Sequence, residues 1–355
     1  MKTLVSKAEE LAREIGRDVK LMEVCGTHTM AVFRTGLRKL LPSSVHLISG
    51  PGCPVCVTDT NFIDAAVELA QRPDVVVTTF GDLLRVPGSS SSLERERAAG
   101  ANVRIVYSPM DAVLLARECP SPRVVFLGIG FETTAPTVAA AIRHAAELGL
   151  DNFSVLCAHK TMPQAMRALV KDQELGIDGF LCPGHVSVIT GAKLYQFLSD
   201  EHHIPCVVTG FEAWDIMKGV TMLLEQIRDG RAAVEIEYSR SVGISGNTAA
   251  QRLLADVFEP CDVSWRGIGV IAGSGLAIRP QFARYDAATA LGVQFREARV
   301  NPACKCGDVL RGVCSPLDCR LFGRGCTPSN PVGPCMVSSE GTCAAYFKYE
   351  GRKAA

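Results

Sequence analysis

The chain predicts an α/β fold with mainly parallel sheets flanked by helices, arranged as two related lobes. Three observations predict it. Short β-branched runs alternate with amphipathic helical stretches up to about residue 300. The strand runs are apolar along their length, as in sheets covered by helices on both faces. An internal echo supports the two lobes: VVFLGIGFETTAPTVAAAI (124–142) and PCVVTGFEAWDIMKGVTML (205–223) both read strand, Gly-Phe-Glu, helix. A second echo is Cys-x-x-His after a strand, CGTH at 25–28 and CPGH at 182–185.

Residues 1–18, MKTLVSKAEELAREIGRD, alternate charged and apolar residues at helical spacing and lack the apolar core of a signal peptide. Eight strand runs follow: VKLMEV (19–24), VHLIS (45–49), DVVVTTF (74–80), VRIVYS (103–108), RVVFLGIG (123–130), FSVLCAH (153–159), DGFLC (178–182) and PCVVTG (205–210). Helical stretches lie between most of them, such as TVAAAIRHAAELG (137–149) with Gly149 as its stop. RVPGSSSS (85–92) reads as a flexible loop in the position of a lid. The expected division is lobe 1 over 19–118 and lobe 2 over 119–300, whose end is free to return to lobe 1. A Cys-rich unit over 301–355 is expected to pack with the helix at 1–18.

Composition narrows the function. The 355 residues are 47% hydrophobic and 21% charged, the profile of a folded globular chain. Lys plus Arg and Asp plus Glu both total 37, so no basic excess points to nucleic acid or acidic membranes. No uncharged apolar run is long enough to span a bilayer. The expectation is therefore a cytoplasmic protein, whose thiols are kept reduced. In that setting 15 cysteines suggest metal or redox chemistry.

Seven of those cysteines fall within 301–349, among many Gly and Pro, in a stretch too irregular to build a core alone. One subset, Cys304, Cys319, Cys326 and Cys343, is spaced C-x14-C-x6-C-x16-C. Four loop-held thiolates suit a [4Fe–4S] cluster or a structural zinc. The tight Cys-x2-Cys knuckles that zinc prefers are missing here, which favours iron–sulfur. Spacing does not decide which four of the seven bind, and disulfides are the third option.

GPGCPVC (50–56) leads from a strand end into a helix start, with prolines stiffening the turn. Cys53 and Cys56 read there as a redox pair; two buried thiols or half of a zinc site are the alternatives. EVCGTHTM (23–30) ends the first strand, so Cys25 and His28 should share one cleft with Cys53 and Cys56 at the carboxyl ends of parallel strands. A thiolate with an imidazole suits low-valent iron or copper, against a buried Cys and a capping His. Glu132 in GFETT and Glu212 in GFEAWD read as helix caps, or else as cleft carboxylates. His185 in CPGHVS occupies a similar strand-end position. Cys119, Cys157, Cys206 and Cys261 read as core. Neither a P-loop nor a G-x-G-x-x-G fingerprint occurs, so nucleotide binding has no direct support.

Taken together, CGTHTM (25–30), GPGCPVC (50–56), GFETTAP (130–136), PGHVS (183–187) and the terminal DCRLFG…GPCMVSSEG.C pattern resemble the HypD family of [NiFe]-hydrogenase maturation factors. These motifs cover nearly the whole chain, though Cys182 and Cys314 need not belong to the pattern. The resemblance implies a scaffold, formed with a small HypC-like chaperone, on which an iron ion becomes an Fe(CN)2CO unit. That unit goes on to the hydrogenase large subunit, and HypE with HypF donates the cyanide. Cys25 would hold the iron beside a cysteine of HypC, with His28 close by, and Cys53 with Cys56 would be the redox pair. Cys304, Cys319, Cys326 and Cys343 would bind a [4Fe–4S] cluster. Cys306 and Cys335 would be a second thiol pair, similar to the arrangement in ferredoxin-thioredoxin reductase. The resemblance implies a redox-active scaffold, and no standalone reaction can be assigned from sequence. The rival reading is an iron–sulfur thiol–disulfide oxidoreductase acting on another protein.

Overall fold

The computed structural model describes residues 1–172 and 174–351. Each of the eight apolar runs forms a strand: β1 (Val19–Glu23), β2 (Val45–Ser49), β3 (Val75–Thr79), β4 (Val103–Ile105), β5 (Arg123–Gly128), β6 (Phe153–Cys157), β7 (Gly179–Pro183) and β8 (Cys206–Thr209). Three further strands were not expected: β9 (Val234–Ile236), β10 (Phe258–Trp265) and β11 (Gly269–Ile278). The helix after β5 runs from Ala135 to Glu147, and Gly149 follows it at φ 65°, a left-handed turn that a glycine adopts freely. No helix among the described residues is long and apolar enough to cross a membrane.

The α/β class holds, with two parallel sheets. A five-stranded sheet has the order β2-β1-β7-β8-β9, and a four-stranded sheet the order β4-β3-β5-β6. Registers such as Leu21↔Leu47 and Met22↔Phe180 align the carboxyl ends of β1, β2 and β7. The chain leaves the first sheet after β2, builds the second from β3 to β6, and returns at β7. Each sheet therefore takes strands from both sides of residue 119, and a boundary there cuts the four-stranded sheet between β4 and β5. The strand–helix rhythm is the same on both sides of that point, so it carries no mark of which sheet a strand joins.

One core cluster joins the two sheets. Met22, Phe180 and Val208 of the five-stranded sheet belong to it together with Val77, Leu127 and Leu156 of the four-stranded sheet. Cys53 and Cys56 lie in this shared core. The N-terminal helix (Lys2–Ile15) shares no core cluster with the described residues of the Cys-rich segment. Its Ala8, Leu11 and Ala12 join Met217, Val220 and Leu224 of the helix Ala213–Arg228, and Lys7 pairs with Glu225. The narrow apolar face of the first helix finds its match on that long helix. The Cys-rich segment packs instead on the helix Gly26–Arg34, through Phe33 against Tyr346 and Met336.

β10 and β11 pair as an antiparallel hairpin. It hydrogen-bonds beyond the end of β6, where Thr161 N–H donates to Ser274 and Leu276 N–H to His159. Arg266, near its turn, donates from its backbone to Val57 and from its guanidinium to Thr58, so the hairpin braces the end of the GPGCPVC turn. The loop at 85–92 is pinned, not a free lid: Asp64 accepts both the backbone N–H and the hydroxyl of Ser89, and Ser92 caps the helix Leu93–Ala98.

Replacing Leu11 (2% exposed) with Ala is expected to lower the unfolding free energy by roughly 2–5 kcal/mol, from a cavity against the helix Ala213–Arg228. Leu317→Ala, at a side chain 57% exposed, should change it by less than about 0.5 kcal/mol. Denaturant titration of the two variants checks this.

Candidate redox and metal site

Three segments build the site. Cys25 ends the extended backbone of β1 and caps the helix Gly26–Arg34. GPGCPVC follows β2, and Gly52 lies flat against Cys25: a Cβ on Gly52 would stand 2.2 Å from the Cys25 nitrogen. Gly26 N–H donates to the Gly52 carbonyl at 3.2 Å and ties the two turns together. The third segment is 333–343, the short helix Pro334–Val337 and the turn that leads into the helix Thr342–Tyr349. Its Gly341 presses against the Cys335 carbonyl, with room for no side chain.

Cys25 is buried, and its thiol is pushed up to about 11 by burial and then by the nearby Glu340 charge. Glu340 in turn accepts the Thr27 hydroxyl at 2.7 Å. His28 is fully buried, and burial lowers its pKa to about 4, so the ring is neutral. Its Nε2 lies 2.9 Å from the Gly210 carbonyl, which can only accept, and 3.0 Å from the Thr209 hydroxyl, which is able to accept, so both contacts are met when Nε2 carries the proton. Nδ1 keeps its lone pair and has no hydrogen-bond partner among the described residues. Phe211 stacks on His28 at 4.7 Å and on His185 at 3.8 Å. His185 is exposed, and the Phe211 ring it shares with His28 sets it beside the same site.

The thiols form a row. Cys53 Sγ accepts the Cys56 N–H at 3.3 Å. The helix that carries Cys56 packs on the one that carries Cys335, and the thiols of Cys56, Cys335, Cys306 and Cys304 are successively near enough to shift one another's titration. Burial holds the Cys56 thiol well above its ordinary range. The row ends at a narrow cavity of about 10 Å³. Cys304, Cys319, Cys326 and Cys343 line it, together with Cys306, Cys335 and the apolar Phe322 and Met336. Among the described residues no three His, Cys, Asp or Glu side chains converge tightly enough to hold one metal ion. Four thiols spread around a mostly apolar space instead fit a polynuclear cluster, and Cys326 Sγ accepts the Val332 N–H, as cluster-bound sulfurs do. Cys314 lies outside this lining.

Comparison with known proteins decides what the row belongs to. The family model HypD, described as "Hydrogenase formation hypA family", matches residues 1–350. The chain is 47% identical over 363 residues to the hydrogenase maturation factor HypD of Rhodobacter capsulatus, covering 100% of this chain and 96% of that protein. It is 46% identical over 349 residues to the hydrogenase maturation factor HypD of Escherichia coli (strain K12), covering 98% and 93%. The chain belongs to the HypD family. Hydrogenase maturation is therefore its general task.

In this HypD family member the sequence-predicted Cys25, His28, Cys53, Cys56, Cys306, Cys335 and the four cavity cysteines gather in one region, with His185 at its edge. The two glutamates do not join them. Glu212 is exposed and caps the helix Ala213–Arg228. Glu132 is buried, and its Oε1 accepts the Met162 N–H at 2.9 Å, at the start of the helix Met162–Lys171. Cys182 and Cys206 are fully buried on β7 and β8, whereas Cys119, Cys157 and Cys261 are only partly buried. Sequence reasoning missed Ser338, Glu340 and Asp82. The polar run Ser-Ser-Glu beside Gly341 was a signal for the first two; nothing local marked Asp82.

Burial raises the Glu132 pKa from 4.5 to about 7. Below pH 4.5 the folded and unfolded chains both hold this proton; above about 7 neither does, and the fold carries a buried carboxylate. Stability is therefore lost as pH rises through this window, by about 3 kcal/mol at 1.36 kcal/mol per unit. Glu132→Gln should remove that share of the pH dependence, which chemical denaturation of both proteins at pH values on either side of the window measures.

Proposed function

We propose that this chain is the scaffold on which the Fe(CN)2CO unit of a [NiFe]-hydrogenase is assembled, in the cytoplasm and together with a HypC-like chaperone. The observation that carries this reading is the succession of neighbouring thiols from Cys53, whose turn lies against Cys25, to the cysteine-lined cavity. The iron ion is the substrate. Cys25 holds it through its thiolate alongside a cysteine of the chaperone. His28 offers the Nδ1 lone pair nearby, fixed by the Gly210 contact at Nε2. Cyanide comes from HypE with HypF, and the finished unit passes to the hydrogenase large subunit.

Cyanide and carbon monoxide stabilise low-valent iron, so assembly needs controlled delivery of electrons. A [4Fe–4S] cluster bound by Cys304, Cys319, Cys326 and Cys343 would supply single electrons at low potential. Cys306 and Cys335 line that site, and Cys335 lies on the helix packed against the one that carries Cys56, the proximity that thiol–disulfide exchange needs. Cys53 and Cys56 are the redox pair nearest to Cys25.

Infrared spectroscopy on the chain co-purified anaerobically with its chaperone tests the scaffold role. Iron-bound cyanide and carbonyl bands are expected in the native complex and lost in Cys25→Ala; bands that persist there refute the role of Cys25. Cys53→Ala or Cys56→Ala should abolish hydrogenase maturation while the visible absorption of the cluster stays intact. Loss of that absorption would make the pair structural. Turnover of a generic disulfide without chaperone or iron would favour the rival oxidoreductase.

A further inference from the structure

Closing or opening a Cys53–Cys56 bond moves protons as well as electrons, yet both sulfurs are shut away from water. Cys53 is 4% exposed and Cys56 0%. Cys56 faces the sulfur row through Cys335. Cys53 faces elsewhere: its Sγ lies 3.2 Å from the Ser338 hydroxyl oxygen. That oxygen lies 3.4 Å from Oδ2 of Asp82.

The direction of these bonds follows from the outer partners. Ser338 Oγ accepts the Glu340 backbone N–H at 3.2 Å, and the Asp82 carboxylate can only accept. A hydroxyl has one proton, so that of Ser338 is committed to Asp82. The Cys53 thiol must then donate to Ser338. Ser339 steadies the far end, because its N–H and hydroxyl both donate to Oδ2 of Asp82, at 3.3 and 3.2 Å. Asp82, Ser338 and Ser339 line a solvent-open groove of about 540 Å³ with Arg85 and Phe347. A directed path of hydrogen bonds thus runs from a buried sulfur to water.

We propose that Ser338 and Asp82 are the proton path of Cys53. Ser338 is the catalytic residue that touches the reacting sulfur, and Asp82 acts through it as a positioning residue and surface proton acceptor. The proposal rests on the reading of Cys53 and Cys56 as a redox pair. In the closing direction, Cys53 attacks the Cys56 sulfur of a Cys56–Cys335 mixed disulfide. The Cys53 proton passes to Ser338 as Ser338 passes its own to Asp82, and from there it reaches solvent. The Cys53–Cys56 bond forms with the electron pair of the Cys53 sulfur. The Cys56–Cys335 bond breaks, and its pair leaves on Cys335 as a thiolate. Cys53 is oxidised and Cys335 reduced, with no outside oxidant. The opening direction runs the same path inward, delivering a proton to Cys53 as it leaves.

The test follows opening of the oxidised pair by dithiothreitol in the full-length, anaerobically purified protein. Samples are quenched in acid, alkylated with N-ethylmaleimide and read by mass spectrometry of the peptide carrying both cysteines, in H2O and in D2O. Ser338→Ala is expected to slow opening roughly 100-fold and to abolish the solvent isotope effect. Ser338→Thr, which keeps a hydroxyl, should recover much of the rate, and Asp82→Asn should slow opening without disturbing the buried core. The midpoint potential of the pair, measured in dithiothreitol redox buffers, should stay unchanged in all three. Opening of Ser338→Ala at the native rate in both solvents overturns the proton path alone. A slowed rate with a shifted midpoint potential assigns Ser338 to packing and overturns it too. If the native protein never forms a Cys53–Cys56 bond, the redox-pair reading falls, and the path with it.

Discussion

Backbone contact between three thiol-bearing segments is the constraint on which the site depends. A Cβ at Gly52 would stand 2.2 Å from the Cys25 nitrogen, and one at Gly341 would stand 2.1 Å from the Cys335 oxygen. Both are far inside any contact that a real Cβ makes, and the opposing atoms are backbone, which cannot swing away. Sulfur side chains are short. They meet in a row only if the chains that carry them approach to contact, and glycine is the residue that permits it. The glycines beside the thiols thus set the spacing of the site, while the cysteines supply its chemistry.

Dryness is the second consequence of that packing. Cys25 and Cys56 both lie in the interior, where burial favours the neutral thiol, and His28 is held neutral for the same reason. Charge in such a place is costly, so every change of redox state must be matched by movement of protons. The site has two faces suited to that need. One leads through Cys335 and Cys306 to the cysteine-lined cavity, and the other leads to the polar loop Ser338–Glu340.

The topology explains why this point was available. GPGCPVC is the first crossover between the two sheets, placed in the core they share. The aligned carboxyl ends of β1, β2 and β7 form one edge of the cleft. The return of the chain at β7 brings His185 to the same edge, stacked on Phe211. The β10–β11 hairpin closes the remaining side, with Gly267 at its turn resting on Gly307 beside Cys306.

Local pattern specified a large part of this. The eight parallel strands, the helix ending before Gly149 and the Gly-Pro turns around Cys53 were readable because period, apolar runs and turn residues act over a few positions. The cysteine spacings were readable for the same reason, and the family motifs named the residues that gather at the cleft. The hairpin was not, since its strands are half-buried without clean alternation. Strand partners, the seat of the N-terminal helix and the Cys53–Ser338–Asp82 path depended on the folded chain. Ser338 lies 285 residues from Cys53 and 256 from Asp82, and contacts at such separations leave no trace in neighbouring residues. Side-chain chemistry is written along the chain, but which of its atoms touch is settled only when distant segments pack.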